Sequence, residues 1–341
     1  MNLPAKWRDQ LVAAGGGRFQ YGRAVIQLEG KLTRTLTFGG GSGAAIEPPP
    51  PRSTKRALLV GIKYSRGRRL DGPVNDVRFM KMLLTDKFKF PPDSILVLTD
   101  DEDERDPAMR PTMANIRRGM RWLVEGCTSG DSLVFHFSGH GGKVIIQERV
   151  YKTICALDGE IKDDEINRTI VGPLVNGVTL HAIVDSCHSD TILDLANICT
   201  IRRTEGVYLF LTTTKRRNSD YFASRSGRHE WEDYKRRGTR GGRAILISGG
   251  SDRQDAYEYG SYGGLVLGAL TTAIFAAAMT EPRPLTYGRL LAAVKVNVHD
   301  IRGGRGRMPT DVTMVNNYSG VLAPQMPSSD QFDINRTNFT L

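Results

Sequence analysis

Residues 131–142 read DSLVFHFSGHGG, and residues 178–189 read VTLHAIVDSCHS. In both, a short apolar run ends in Ser, Gly, His or Cys, a pattern that predicts a buried strand followed by a loop that carries chemistry. Similar apolar runs lie at 56–62, 94–100 and 244–248. Because these runs are apolar throughout rather than alternating, they predict a parallel sheet that is covered on both faces.

Helices are predicted between these strands. Apolar residues recur at helical spacing in 74–88 and 112–126, and two further helices are expected at 264–279 and 286–298. The segment VYLFLTT at 207–213 is compatible with an added strand or with a displaced loop. Strands that alternate with helices predict an α/β fold, in which a mostly parallel central sheet is flanked by helices as an α/β/α sandwich. Such sheets carry their functional residues at the carboxyl ends of the strands.

The composition is that of a globular protein. The chain has 341 residues, of which 40% are hydrophobic, and a formal charge of +10. Its four cysteines are too few for a disulfide-built fold and indicate a reducing compartment. The N-terminus lacks the apolar core of a signal peptide, and no run reaches the roughly 20 apolar residues of a membrane span. We therefore expect a cytoplasmic or nuclear protein with no membrane partner.

The positive charge is concentrated in two segments. Lys and Arg outnumber Asp and Glu by 9 to 3 in residues 1–56 and by 10 to 4 in 215–243, whereas the remaining residues are close to neutral. Residues 1–54 are rich in Gly and Pro, so we expect a flexible arm there and a single domain over 55–341. A basic nucleic-acid-binding protein is one hypothesis, but the sequence shows no nucleic-acid-binding module, and we expect no such partner.

The two strand ends carry a candidate catalytic pair. His140 follows the first strand and Cys187 the second, and neighbouring parallel strands would bring both to the same edge of the sheet. A histidine there can accept the thiol proton, and the resulting thiolate is the nucleophile. Gly141 permits a close approach to a substrate carbonyl, so that its N–H and that of Cys187 would form an oxyanion hole. The alternative interpretation is that Cys187 is a small buried residue and that His140 only ends a strand.

Other histidines and cysteines in these stretches are interpreted as structural. His136 and His181 lie inside the predicted strands, so we expect both to be packed rather than catalytic. Cys155 is interpreted as a small buried residue. His136 and His140 also have the spacing of a zinc motif, but Phe137 stands where that helical motif needs a Glu, so no zinc is expected.

Several motifs together resemble one protein family. In chain order they are KRALLVGIKY, GPVNDVRFM, GDSLVFHFSGHGG, DDEI, HAIVDSCHSDTILDL and TYGRLL. They are similar to the motifs of plant type I metacaspases, over about residues 55–300. The resemblance implies a caspase-like fold and a cysteine-type endopeptidase with His140 as general base and Cys187 as nucleophile. It also implies a role in programmed cell death.

The resemblance implies a substrate preference as well. The family cleaves after Arg or Lys, and its pocket carboxylates match Asp76 and Asp185. Two carboxylates near the nucleophile favour a guanidinium through charge-assisted hydrogen bonds. The alternative from the residues alone is that Asp76 lies on an exposed helix face and that Asp185 is a turn residue. We expect protein or peptide substrates with Arg or Lys at the cleavage site.

The family divides its peptidase domain into two parts. Here these would be a large-subunit-like part at 55–214 and a small-subunit-like part at 244–341, joined by a basic linker loop at 215–243. Because that loop is rich in Arg and Lys, we expect self-cleavage within it. The active protein is expected to be a monomer.

Calcium is a candidate cofactor by resemblance. The matching carboxylates are Asp163, Asp164 and Asp194, and oxygen ligands are what calcium prefers. However, Lys152 stands where the family has an Asp, so one expected ligand is replaced by a cation. From the residues alone, Asp-Asp-Glu at 163–165 is equally a charged first turn of a helix.

Further departures motivate an alternative function. Asp190 replaces a Gly and adds a carboxylate three residues after Cys187, where it would raise the thiol pKa or obstruct the cleft. Pro73 replaces a Cys, and the zinc-finger prodomain of many relatives is not expected because no Cys precedes Cys127. The alternative to a peptidase is therefore a catalytically impaired metacaspase-like scaffold that binds partners without cutting them.

Overall fold

The computed structural model describes most of the chain beyond residue 52 and two short pieces before it. The described residues are 18–21, 24–27, 53–65, 67–147, 149–187, 189, 191–195, 197–204, 207–214, 238–249, 258–262, 265–281, 284–301, 313–317 and 338–341. The predicted arm at 1–54 and the predicted basic loop at 215–243 lie largely outside them.

The described strands and helices alternate along the chain. The strands are β1 (Arg18–Tyr21), β2 (Ala24–Gln27), β3 (Lys55–Gly61), β4 (Ile95–Thr99), β5 (Ser132–Ser138), β6 (Gly141–Ile146), β7 (Arg149–Ala156), β8 (Gly159–Lys162), β9 (Thr179–Asp185), β10 (Asn197–Thr204), β11 (Val207–Thr214), β12 (Arg243–Ser248), β13 (Glu258–Tyr262), β14 (Leu265–Gly268) and β15 (Thr313–Asn317). The α-helices are α1 (Pro73–Met82), α2 (Met113–Val124), α3 (Asp163–Ile166), α4 (Ala269–Thr280) and α5 (Tyr287–Ile301). Helices α1 and α3 each continue into a wider π-helical turn, at Leu83–Lys87 and Asn167–Val171.

Eight of the described strands form the central sheet, in the order β11-β10-β15-β12-β9-β5-β3-β4. The five strands from β12 to β4 are mutually parallel, and β15, β10 and β11 extend the sheet by antiparallel pairing. The predicted mostly parallel α/β fold is therefore confirmed. The register of β5 and β9 pairs Ser138 with Asp185, so both strands end at the same level.

Both faces of the sheet are covered by apolar residues, because successive residues of a strand point to opposite faces. On one face, Leu59 and Ile183 pack with the buried sides of α1, α4 and α5. On the other face, Leu58 and Val184 pack with α2 and with the turn around Ile170. This double burial is why the strand sequences are apolar throughout rather than alternating.

The predicted strands at 56–62, 94–100, 131–137, 178–186 and 244–248 correspond to β3, β4, β5, β9 and β12. The helices predicted at 74–88, 112–126 and 286–298 correspond to α1 with its π turn, α2 and α5. The alternatives for 207–213 resolve to a strand, because β11 pairs along its whole length with β10.

The predicted helix at 264–279 begins later than expected. Leu265–Gly268 is strand β14, paired with β13, and the helix starts only at Ala269. Gly268 is the N-cap residue of α4, and glycine disfavours a helix interior, which explains why the helix does not extend further back. No helix in the described residues is long and apolar enough to cross a membrane.

A buried ion pair fixes the start of β3. Arg56 is 2% exposed, and its Nη2 lies 3.2 Å from Asp131 Oδ2, just before β5. Its Nη1 donates to the carbonyl of Glu125, at the end of α2, at 2.6 Å. One guanidinium therefore joins β3, β5 and α2.

Replacing Arg56 is expected to destabilise the fold. In Arg56→Met, the carboxylate of Asp131 stays buried without its cation, and we expect the free energy of unfolding to fall by about 3 kcal/mol. The control is Arg69→Ala, which breaks the exposed ion pair with Asp71 and is expected to change stability by less than about 0.5 kcal/mol. Urea denaturation of both variants measures this, and similar losses in the two would contradict the assignment.

Candidate active site

The ends of β5 and β9 bring the predicted catalytic residues to one edge of the sheet. His140 and Cys187 each follow their strand end by two residues. A Cβ added at Gly141 would lie 2.0 Å from the carbonyl oxygen of Cys187 and 3.1 Å from Ser186 Oγ. The backbone after His140 therefore lies directly against that of Cys187, and only glycine allows this approach.

The imidazole of His140 is held by groups from the loop after β3. Its Nε2 lies 2.6 Å from the carbonyl oxygen of Arg68, and its ring packs on that of Tyr64 with centroids 4.5 Å apart. A carbonyl oxygen can only accept, so Nε2 carries the proton in the neutral ring and Nδ1 carries the lone pair. This tautomer leaves Nδ1 as the basic nitrogen.

The Tyr64 hydroxyl fixes the backbone around His140. It accepts the N–H of His140 at 2.9 Å and donates to the carbonyl of Cys155 at 2.6 Å. Tyr64 has a φ of 54°, an unfavourable conformation for a bulky residue. The buried carboxylate of Asp100 stabilises it by accepting the N–H groups of Lys63 and Tyr64, at 2.6 and 2.9 Å.

Cys155 lies next to the candidate pair but has a different character. Its N–H donates to the carbonyl of His140 at 3.0 Å. Burial, followed by Glu160 and Cys187, raises the pKa of the Cys155 thiol to about 11. Cys155 is therefore a protonated, structural thiol at neutral pH.

Asp76 and Asp185 meet behind the strand ends. Asp76, on α1, is fully buried and accepts the Ser138 hydroxyl at 2.6 Å and the Gly268 N–H at 2.8 Å. Asp185, at the end of β9, accepts the N–H and the hydroxyl of Thr271 through Oδ2, at 2.9 and 3.1 Å. A Cβ at Gly268 would lie 2.7 Å from Asp76 Oδ2 and 2.2 Å from Asp185 Oδ2, so both carboxylates reach the same point.

The interpretation of Asp76 as an exposed helix residue is therefore wrong, because its side chain points into the core and satisfies two donors. Asp185 is 6% exposed, and this burial raises its pKa to about 6, although the hydrogen bonds from Thr271 act in the opposite direction. Asp76 and Asp185 thus bring two carboxyl groups close together in the interior.

The acidic residues at Asp163, Asp164 and Asp194 form a separate cluster. Burial raises the pKa of Asp163 to about 6, and the nearby charges of Asp194 and Asp164 add to this effect. Asp163 accepts the N–H groups of Lys152 and Asp164, at 3.2 and 2.8 Å. Asp164 Oδ2 lies 3.6 Å from the guanidinium of Arg168.

Asp163 and Asp164 provide few of the oxygens that calcium needs. Of the carboxylate oxygens of Asp163 and Asp164, only Asp164 Oδ1 is left without a hydrogen bond or an ion pair, whereas calcium takes six to eight oxygens. Within the described parts of the chain, no group of three or more His, Cys, Asp or Glu side chains is arranged to hold a metal ion. Lys152, at the position of an expected ligand, is 7% exposed and carries a buried ammonium group.

The remaining histidines of the two strands are packed, as expected. His136 is fully buried, which lowers its pKa to about 4, and its Nδ1 lies 3.1 Å from the carbonyl of Ile183. His181 is 1% exposed, its pKa is lowered to about 3 by burial, and it hydrogen-bonds the Tyr287 hydroxyl. Asp190 lies outside the described residues.

Sequence reasoning missed several groups that hold this site together. Tyr64 follows β3, a third parallel strand with its end at the same edge, so its position along the chain was a usable signal. Ser138 lies inside the motif DSLVFHFSGHGG at residues 131–142. Nothing in the sequence indicated the carbonyl of Arg68, or the pairing of Gly268 and Thr271 with carboxylates on distant elements.

Comparisons with known proteins agree on one family. The model of the metacaspase, peptidase C14 domain matches residues 55–196. The chain is 38% identical to metacaspase-1 of Arabidopsis thaliana over 86% of this chain and 80% of the relative, and 37% identical to metacaspase-3 of that plant over 87% and 78%. A solved structure from Geobacter sulfurreducens shares the fold at a TM-score of 0.50 and 18% identity, covering 78% of this chain and 94% of the other.

The difference between the two neighbouring thiols is measurable. At pH 7.5 we expect iodoacetamide to alkylate Cys187 at least about tenfold faster than Cys155, because the raised pKa of Cys155 leaves almost no thiolate there. In His140→Ala, alkylation of Cys187 should slow. Peptide mass spectrometry over a time course measures both rates, and equal rates at Cys155 and Cys187 would contradict the site described above.

Proposed function

The chain belongs to the metacaspase family and is a cysteine-type peptidase, and we propose that it is an endopeptidase that cleaves after Arg or Lys, with Cys187 as nucleophile and His140 as base. The observation that carries this proposal is the paired ending of β5 and β9. This pairing is evidence for a nucleophile, a base and an acidic pocket that lie together at one edge of the sheet.

The proposed chemistry begins with proton transfer. Nδ1 of His140 takes the Cys187 thiol proton, and the thiolate attacks the carbonyl carbon of the scissile bond. The N–H groups of Gly141 and Cys187 donate to the oxygen that becomes negative. His140 then gives its proton to the departing amine, and the C–N bond breaks to leave a thioester. Water, deprotonated by His140, attacks the thioester and releases the acid and the Cys187 thiol.

Arg68 and Tyr64 support this chemistry by orienting the base. The carbonyl of Arg68 stabilises the imidazolium that forms when His140 is protonated, because its oxygen accepts the Nε2 proton. The Tyr64 hydroxyl holds the His140 backbone and the neighbouring strand β7 together. Neither group exchanges a proton with the substrate, so both are positioning groups.

The proposed preference for Arg and Lys follows from the buried carboxylates. Asp76 and Asp185 converge near Gly268, and Asp185 lies two residues before Cys187. A cationic side chain of the substrate relieves the cost of keeping two carboxylates close together and out of water. A guanidinium can also donate to both through its planar fork, whereas an acidic side chain would be repelled.

We also propose that activity does not depend on calcium. Three of the four carboxylate oxygens of Asp163 and Asp164 already accept an N–H or lie beside Arg168, and Lys152 is a cation supplied by the chain itself. A divalent ion at this cluster would lie beside the Arg168 guanidinium and compete with it for Asp164, so the cluster gains little from calcium.

Peptide substrates test the proposed specificity. We expect turnover of peptides that end in Arg or Lys at the cleavage site, none of Asp-ended peptides, and none by Cys187→Ala. Asp76→Asn should lower kcat/KM for the Arg-ended peptide at least about tenfold, because a hydrogen-bonded charge is lost. Chelating calcium should leave the wild-type rate unchanged.

Each part of this peptide test has a result that would contradict the proposal. Cleavage after Asp alone would refute the acidic pocket, and turnover by Cys187→Ala would refute the nucleophile. No turnover of any peptide would support a scaffold protein instead. A rate that appears only with added calcium would contradict the interpretation of the cluster at Asp163 and Asp164.

The basic loop at 215–243 is proposed as a substrate of the enzyme itself. It contains Lys215-Arg216-Arg217 and Lys235-Arg236-Arg237, which match the proposed preference. Its end at Thr239–Gly242 runs into β12, beside the bridge from Val175 to Arg240. A cut in the loop would separate the large- and small-subunit-like parts along the chain while the central sheet still joins them through β9 and β12.

Self-cleavage should depend on the nucleophile. We expect the purified wild-type chain to be cut between about residues 215 and 237, which gives one N-terminal and one C-terminal fragment. We expect Cys187→Ala to remain intact. Replacing all eight Arg and Lys residues within 215–237 by Gln should suppress the fragments while added Arg-ended peptide is still cut. Electrophoresis with N-terminal sequencing measures this, and identical fragments from Cys187→Ala would show that another protease made them.

A further inference from the structure

The junction between β14 and α4, at residues 268–271, contacts both pocket carboxylates. Gly268 donates its N–H to Asp76 Oδ1 at 2.8 Å, and Thr271 donates its N–H and its hydroxyl to Asp185 Oδ2 at 2.9 and 3.1 Å. Asp76 comes from α1 and Asp185 from β9. One short segment therefore holds two carboxylates that are distant from it in sequence.

The same junction explains how a buried carboxylate can be charged. Asp185 is 6% exposed, and burial favours its protonated form. Hydrogen bonds from Thr271 and from the Leu270 N–H favour the ionised form. Gly268 is the N-cap of α4 and has no side chain to cap it, so the carboxylate of Asp185 serves the first turn of this 12-residue helix, where negative charge is favoured.

We propose that Thr271 is a positioning residue of the Arg and Lys pocket, whose hydroxyl donates to the Asp185 carboxylate and fixes its direction. The proposal rests on the proposed peptidase function. It adds a residue that does not touch the substrate and acts through Asp185. A purely structural residue would affect stability alone, whereas Thr271 sets the pH range in which the pocket binds a cation.

The sign of the pH dependence follows from the groups around Asp185. Asp76, from α1, is the titratable group that faces it and itself accepts the Ser138 hydroxyl of β5, while α4 presents N–H and hydroxyl donors to Asp185. Above a pH of about 6, Asp185 is ionised and the pocket attracts a cation. As the pH falls through that value, Asp185 is protonated and affinity is lost. Removing a donor to the ionised form moves this loss to a higher pH.

The test measures binding rather than turnover, so that the titration of Cys187 does not contribute. All variants are made in Cys187→Ala, and the Kd of an Arg-ended peptide is measured by calorimetry from pH 5 to 8. Thr271→Val removes the hydroxyl at nearly constant shape, and Thr271→Ser retains it. Thr272→Val is the matched control, because the Thr272 hydroxyl donates to the Gly268 carbonyl at 2.8 Å rather than to a carboxylate.

We expect the midpoint of the affinity loss near pH 6 for the parent, for Thr271→Ser and for Thr272→Val, and roughly one unit higher for Thr271→Val. Affinity of Thr271→Val should then be about fivefold weaker at pH 6 and close to the parent at pH 8. Thermal melting of each variant confirms that it is folded.

Four outcomes would overturn the inference. An unchanged midpoint in Thr271→Val, or an equal loss of affinity at every pH, would reduce Thr271 to a packing residue. An equal shift of the pH midpoint in Thr272→Val would mean that any change at the start of α4 alters the pocket, so the effect would not be specific to the Thr271 hydroxyl. If Cys187→Ala binds neither Arg-ended nor Lys-ended peptides at any pH, the proposed function fails, and this inference fails with it.

Discussion

The parallel pairing of β5 with β9 is the constraint on which the candidate site depends. Because Ser138 lies opposite Asp185, the next two residues of each chain segment leave the sheet at the same level and place His140 and Cys187 at one edge. A slip of one residue would turn every side chain of a strand to the opposite face. The apolar residues buried on both faces therefore fix the position of the site as well as the stability of the sheet.

The same strand ends also bring charge into the interior. Burying carboxylates is unfavourable unless donors replace water, and here the donors come from several elements. Ser138 and Gly268 donate hydrogen bonds to Asp76, and Thr271 donates to Asp185. On the edge itself, the strained backbone of Tyr64 is stabilised by hydrogen bonds to Asp100. Polar groups that are far apart in sequence thus maintain a geometry that apolar packing alone would not select.

Local sequence patterns were sufficient to predict the parallel strands, most helices and the residues at the strand ends, because each depends on hydrophobic periodicity and on the position of a strand's end. They did not predict β10, although its partner β11 follows directly along the chain, or β15, which pairs with the distant strands β10 and β12. The hydrogen bonds from Thr271 to Asp185 were equally invisible, since a hydroxyl in an apolar helix shows no partner until the fold brings Asp185 to it. The start of α4 was misplaced because an apolar segment continued across Gly268 from strand into helix.

The most direct measurement is to react the protein with two peptidyl chloromethyl ketones that differ only in a terminal Arg or Asp, and to map the adducts by mass spectrometry. Because the strand register places Cys187 beside the proposed pocket for cations, we predict a single adduct on Cys187 from the Arg reagent and little or none from the Asp reagent. Equal labelling by both reagents, or an adduct on Cys155 in place of Cys187, would contradict it.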